Sequence, residues 1–325
     1  MNVRRLIPTT AAAGAVALGL MAVSACSTSD AAEGSNGDRL KVVASFYPMQ
    51  YLAEEIGGDH VSVSTLTQPG VEPHDLELKP RQTAELNEAG LILYLKGIQP
   101  AVDKAITQSE AKNKVDAATL TELEHHGTEG GHSHEGEEAG HDEHAGEGEG
   151  EAGADPHIWL DPVKYAEVAK GVGKSLEKAD PDNAADYKKN TDALVKKLDG
   201  LNGKYQQGLK NTATKTFITT HAAFGYLAER YGLDQEGIAG VDPESEPSPA
   251  RIKDLQTIAE KDKVSTVFFE TLASDKTAKT LAKDTGLKTD VLDPLEGITD
   301  KSKGDDYIEV MESNLTALQK ALGAK

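Results

Sequence analysis

Ten histidines carry the clearest capacity for chemistry in this 325-residue chain, because neutral imidazole ligates zinc and neighbouring divalent metals. They fall into two sets. His60, His74, His157 and His221 stand in ordinary patterned sequence, whereas His125, His126, His132, His134, His141 and His144 crowd into one acidic, glycine-rich stretch. His74 lies in Glu72-Pro73-His74-Asp75 after a predicted strand. His157 lies in Asp155-Pro156-His157-Ile158-Trp159-Leu160-Asp161-Pro162 just before a predicted helix, and His221 follows Thr219-Thr220 at a strand-to-helix turn. Positions of this kind converge on one cleft, since ligands of α/β sheets bind at the carboxyl ends of strands. His60, in Gly57-Gly58-Asp59-His60, stands at the amino end of a strand and reads as a surface turn residue. The single cysteine, Cys26, excludes a disulfide framework or a Cys-based zinc ribbon within the chain.

The elements that must position these histidines alternate. A β-rich run from Leu40 to Phe46 precedes a helical pattern from Met49 to Ile56. A strand over Val61–Thr67, a helix over Pro80–Ala89, a strand over Leu91–Leu95 and a helix over Gln99–Lys112 follow. Asp161-Pro162 has the signature of an N-cap with proline at the first helical position and starts a helix reaching about Ala179. A second helical stretch runs from Asn183 to about Lys210. The alternation then resumes with strands at Thr216–Thr220, near Ile238, at Val264–Phe269 and at Thr289–Leu292. Helices fall at Ala222–Tyr231, Pro249–Lys261, Lys276–Asp284 and Tyr307–Leu322. This pattern predicts an α/β protein of two βα lobes with parallel sheets, joined by one long linking helix, with a cleft between the lobes.

The N-terminus addresses the chain outward. Arg4 and Arg5 precede the apolar run Ala11–Val23, which suits a signal peptide and is too short to span a bilayer as a helix. Val23-Ser24-Ala25-Cys26 resembles a bacterial lipobox, in which Cys26 becomes the lipidated first residue. The expected organisation is a signal peptide over 1–25, a flexible tether over 26–39, a first lobe over 40–160, a linking helix over 161–179 and a second lobe over 180–325. The first lobe is interrupted by an acidic His-rich loop over 121–155, expected to be disordered because it holds twelve acids, no Lys or Arg, and almost nothing apolar. With 34 Lys+Arg against 54 Asp+Glu, the formal charge of −20 argues against a nucleic-acid partner.

Four runs together resemble the zinc-specific substrate-binding lipoproteins of bacterial ABC importers: Glu72-Pro73-His74, Pro156 to Pro162, Thr220-His221-Ala222-Ala223-Phe224-Gly225-Tyr226-Leu227, and Leu292-Asp293-Pro294-Leu295-Glu296. The resemblance covers essentially the whole mature chain. It implies metal ligands at His74, His157 and His221, with a fourth, acidic ligand carried over to Glu296. Asp293 and Glu270 are the alternatives at that position, each also suited to capping a turn after a strand, and water is a further one. Three imidazoles and a carboxylate match the tetrahedral preference of Zn²⁺, whereas manganese favours harder oxygen donors; copper and nickel also accept imidazole. The resemblance further implies an extracytoplasmic monomer, held to the membrane by its lipid, that passes Zn²⁺ to a permease and its ATPase. Rival readings are a zinc hydrolase and a surface adhesin. Against the hydrolase, the sequence contains neither H-E-x-x-H nor G-x-S-x-G, and a glutamate as fourth ligand would close the position that a catalytic water needs. The six histidines of the acidic stretch suit weak auxiliary zinc binding.

Overall fold

The computed structural model describes residues 39–126, 154–243 and 245–325. The first lobe comprises β1 (Leu40–Ala44), α1 (Tyr47–Gly57), β2 (Val61–Thr65), α2 (Pro80–Glu88), β3 (Leu91–Tyr94), α3 (Pro100–Gln108) and β4 (Lys114–Asp116). Val42, Val43 and Ala44 of β1 and Leu91, Ile92 and Leu93 of β3 are all buried. Continuous apolar runs of this kind are what strands covered on both faces require. The strands are parallel in the order β2-β1-β3-β4, with Leu40 opposite Val61 and Val42 opposite Leu91.

Two helices follow, α4 (Pro162–Ala179) and α5 (Ala184–Gly208). The second lobe then comprises β5 (Thr216–Thr219), α6 (Gly225–Tyr231), β6 (Asp234–Gly237), α7 (Pro249–Lys261), β7 (Thr266–Phe269), α8 (Lys276–Thr285) and β8 (Lys288–Val291), and α9 (Tyr307–Leu322) closes the chain. Its parallel strands repeat the first lobe's order as β6-β5-β7-β8. Among the described residues no helix is long and apolar enough to cross a membrane.

Local chemistry sets the helix starts. Pro80, Pro100, Pro162 and Pro249 open α2, α3, α4 and α7, where a fixed φ helps and the missing N–H has no role. Asp161, Ser248 and Asp306 accept from the backbone N–H of Val163, Arg251 and Glu309 at 2.8, 3.1 and 2.9 Å, caps worth about 1 kcal/mol each.

A shared aromatic core joins the lobes. Phe46, Trp159, Tyr165 and Tyr307 are fully buried within it. Trp159 Nε1 donates to the Pro294 carbonyl of the second lobe at 2.7 Å, and the Tyr307 hydroxyl returns a bond to the Trp159 carbonyl at 2.6 Å. Buried aromatic N–H and O–H groups need such partners, so these side chains fix the lobes in register as well as filling space.

Several expectations shift. The helix expected to reach Lys112 stops at Gln108, and β4 is a strand beyond those expected: three residues, two of them charged, form an edge strand that carries no periodic signal. The strand expected near Ile238 is β6, displaced to Asp-Gln-Glu-Gly. Asp234 is exposed, but Gln235 and Glu236 are buried, because Gln235 donates to Thr219 Oγ1 (2.8 Å) and Glu236 pairs with Arg251 (2.7 Å). The single linking helix is accompanied by α5, which packs along α4 and touches both α1 and α9, so a lobe boundary at residue 180 divides a helical layer that serves both lobes. The acidic loop is narrower than 121–155. Its ends belong to the fold, since Asp155 N–H donates to the Glu124 carbonyl at 2.8 Å. The Tyr226 hydroxyl on α6 accepts from Glu124 N–H and donates to the Asp155 carbonyl, each at 2.8 Å. Residues 1–38, with the signal segment, Cys26 and most of the tether, lie outside the described residues, as do His132, His134, His141 and His144.

Candidate metal centre

Four side chains converge between the lobes. His74 is carried by the connection between β2 and α2, and His157 immediately precedes the single 3₁₀ turn Ile158–Leu160 that leads into α4. His221 follows β5 after one residue, and Glu296 follows β8. One ligand atom from each lies within 4.8 Å of the others. Glu296 Oε1 is 3.3, 3.3 and 3.5 Å from Nε2 of His74, His157 and His221. His157, His221 and Glu296 are buried, and the His74 side chain is 11 % exposed.

The chain reaches Glu296 through a strained turn. Leu295 has φ +59°, a left-handed conformation costing an L-residue about 1–2 kcal/mol. Asp293 sustains it by accepting from Leu295 N–H at 2.9 Å, and takes further bonds from Ser302 and Thr271. Asp293 is thereby a turn-capping residue, turned away from the imidazoles.

Two carboxylates set the imidazoles from behind. Asp155 Oδ1 lies 2.7 Å from His157 Nδ1 and also accepts the His157 backbone N–H (2.9 Å); Glu270 Oε1 lies 2.8 Å from His221 Nδ1. A carboxylate at Nδ1 fixes the tautomer with hydrogen there and leaves the Nε2 lone pair pointing inward. Glu270, weighed from sequence as a fourth ligand, instead meets His221 at Nδ1. Asp155 had been absorbed into the acidic stretch; its signal was its place two residues before a histidine.

This arrangement leaves a deficit. His157 Nε2, His221 Nε2 and Glu296 Oε2 are buried without a hydrogen-bond partner among the described residues, although each such atom costs about 1–3 kcal/mol. Inward lone pairs facing a carboxylate repel one another unless something positive lies between them, either protons or a metal cation. The titration behaviour reflects this field. Burial disfavours the cationic form of His157, but the Asp155 carboxylate outweighs it and holds the imidazole above its usual value. His221, likewise buried, is held well above by Glu270 and then Glu296. Burial would raise Glu296, yet His157, His221 and His74 take it well below the usual carboxylate range. At the rim, burial and then the charge of Glu296 push Glu72 up to about 7.

The other predicted positions fall elsewhere. His60 pairs with Asp186 at 2.9 Å on the surface and stands edge-on to Tyr187. His125 is exposed. His126 is folded against the protein, with its ring on Tyr226 at a centroid distance of 4.6 Å.

Comparison with known proteins bears on this centre. Residues 42–321 match the family described as "ZnuA: Zinc-uptake complex component A periplasmic". The chain is 38% identical over 318 residues to the high-affinity zinc uptake system protein ZnuA of Bacillus subtilis, covering 95% of this chain and 97% of that one. It is also 38% identical over 299 residues to the zinc-binding lipoprotein AdcA of Streptococcus pneumoniae, covering 91% of this chain but only 57% of that longer protein. The crystal structure of the Zn(II)-bound ZnuA-like domain of that AdcA aligns with a TM-score of 0.70 at 33% identity, over 87% of this chain and 99% of the domain.

Proposed function

The chain belongs to the ZnuA family of periplasmic zinc-uptake components, and from that premise we propose that it is an extracytoplasmic receptor that captures Zn²⁺ and delivers it to an ABC permease. The family is a substrate-binding transport component and not an enzyme. We assign His74, His157, His221 and Glu296 as the four ligands. One observation supports the assignment: three imidazole Nε2 atoms and a carboxylate face one another within 4.8 Å, and buried atoms among them have no hydrogen-bond partner among the described residues. Three neutral nitrogen donors and one oxygen suit tetrahedral Zn²⁺. Binding replaces the protons that the buried carboxylates otherwise retain on the imidazoles, so capture of the ion releases protons.

Lipidation at Cys26 supplies the membrane attachment in this reading, and a monomer supplies the cargo to the permease and its ATPase. The histidines of the acidic segment gather zinc near the centre at lower affinity. Zinc K-edge absorption of the loaded protein tests the ligand set. It should report imidazole nitrogens near 2.0–2.1 Å with a single carboxylate oxygen; a shell dominated by oxygen would overturn the assignment.

A further inference from the structure

Beyond β8 the chain leaves its strand neighbours, and one side chain takes their place. Leu292 N–H still donates to the Phe269 carbonyl at the end of β7, at 3.1 Å. At Asp293 both backbone groups turn instead to Asn314 on α9. Asp293 N–H donates to Asn314 Oδ1 at 2.9 Å, and Asn314 Nδ2 donates to the Asp293 carbonyl at 2.7 Å. Asn314 is 3 % exposed and shares the buried side of α9 with Val310, Met311, Leu315 and Leu318. A carboxamide is costly to bury on such a face unless it is hydrogen-bonded. Here its donor and its acceptor are both given to the backbone three residues before Glu296.

Tyr307 precedes Asn314 by two helical turns, so the two share one face of α9, about 10 Å apart along its axis. Each holds a backbone group close to a ligand. The Tyr307 hydroxyl donates to the carbonyl of Trp159, two residues after His157, at 2.6 Å, and Asn314 holds Asp293. Trp159 Nε1 closes the ring by donating to the Pro294 carbonyl at 2.7 Å. A stretch of rigid helix thereby sets the separation between a ligand of the first lobe and a ligand of the second. We propose that Asn314 is a positioning residue for zinc binding: with Tyr307 it makes α9 a gauge that fixes where Glu296 stands relative to His157. The role rests on Glu296 serving as the fourth ligand. It differs from that of Asp293, whose carboxylate shapes the turn from within through Leu295 N–H, whereas Asn314 places that turn against the other lobe.

A double-mutant cycle on the full chain, read as zinc affinity, tests this. Asn314→Ser, whose side chain ends one atom short of the amide groups, should weaken zinc binding about 10-fold, at the lower end of what partners acting through a ligand cost. Glu296→Ala should weaken it more. In the Glu296→Ala background Asn314→Ser should cost nothing further, because no fourth ligand remains to be placed. Cobalt(II) bound in place of zinc supplies a second readout: its visible d–d bands should shift in Asn314→Ser, whereas loss of a side chain that merely supports the fold would leave them where they are. Asn314→Asp, which keeps the acceptor for Asp293 N–H and loses the amide donor, is the second variant should Asn314→Ser not fold, with the same outcomes expected. Equal losses of affinity in the two backgrounds, or unchanged cobalt bands, overturn the positioning role. Full affinity in Glu296→Ala alone would instead count against the ligand set, so the two failures are separable.

Discussion

The two lobes share one strand order yet hold their shares of the metal centre differently. The second lobe places His221 one residue beyond β5 and Glu296 after a capped, left-handed turn, both buried and both tied to the sheet by Glu270 or Asp293. The first lobe sends His74 out on the whole run from Leu66 to Pro73, and there the side chain retains contact with solvent. Short connections from strand ends give a preset pair; the long connection leaves the His74 side chain within reach of solvent. Topology determines where the cleft lies, and connection length distinguishes His74, which meets solvent, from His157, His221 and Glu296, which are buried.

The largest expected effect follows from this contrast. His221→Ala, which leaves Glu296 facing a gap in a buried site, should weaken zinc binding by more than about 100-fold, beyond the range of partners that act through a ligand. His74→Ala should cost less, because solvent can take its place. Competition titration against a chromophoric chelator measures both, and equal losses would erase the distinction between buried and solvent-reached ligands. Next come the orienting carboxylates. Glu270→Gln and Asp155→Asn should each lower affinity about 10- to 100-fold without removing a ligand. Unchanged affinity would reduce them to turn caps.

The third effect is pH dependence. Zinc must displace protons from His157 and His221, whose folded values lie above the usual imidazole value of about 6.5, so affinity should climb through and beyond that pH. For the zinc-free fold the sign reverses. Raised imidazoles contribute stability that is fully present below about pH 6.5 and is lost as pH rises through their folded values. Glu296 and Asp155, both lowered, contribute stability present above about pH 4 and lost as pH falls through theirs. The zinc-induced rise in Tm should therefore widen between about pH 6 and 8; a constant increment would contradict the proton count. The smallest effect concerns how the lobes are joined. Trp159→Phe keeps an aromatic ring but removes the indole N–H and some buried volume, and orphaning the Pro294 carbonyl should by itself cost about 1–3 kcal/mol in denaturant unfolding. No cost would mean that packing alone holds the lobes in register.

What the sequence made legible is local. The bounds of α7 and α9 coincide with those read from the pattern, because Ser248-Pro249 and Asp306 announce a helix within a few residues. β4 and β6 were not legible as such, since polar edge strands exist only through their partners: Lys114 is paired with Ile92, and Asp234 with Thr216. At the metal centre, histidines after strands stood out by type and place. The choice among Glu296, Asp293 and Glu270 depended on the backbone at Leu295 and on which carboxylate meets an Nδ1, both of which are tertiary facts. Asp155 was hidden for a different reason: it closes a run of acids whose composition does not mark it as buried.

The hydroxyl of Tyr226 that clasps Glu124 and Asp155 has a consequence for how this chain can change over time. Because Glu124 and Asp155 already touch, the ends of whatever sequence joins them are held together, and in general each doubling of a flexible chain's length adds only about 0.6 kcal/mol of closure entropy. Lineages can lengthen, shorten or recompose residues 127–153 while the scaffold stays folded, and an engineer can graft a reporter or a different metal-gathering sequence at the same port. Tyr226→Phe would remove the hydroxyl's two bonds and leave the ends held beside His157 by the direct bond from Asp155 N–H to the Glu124 carbonyl.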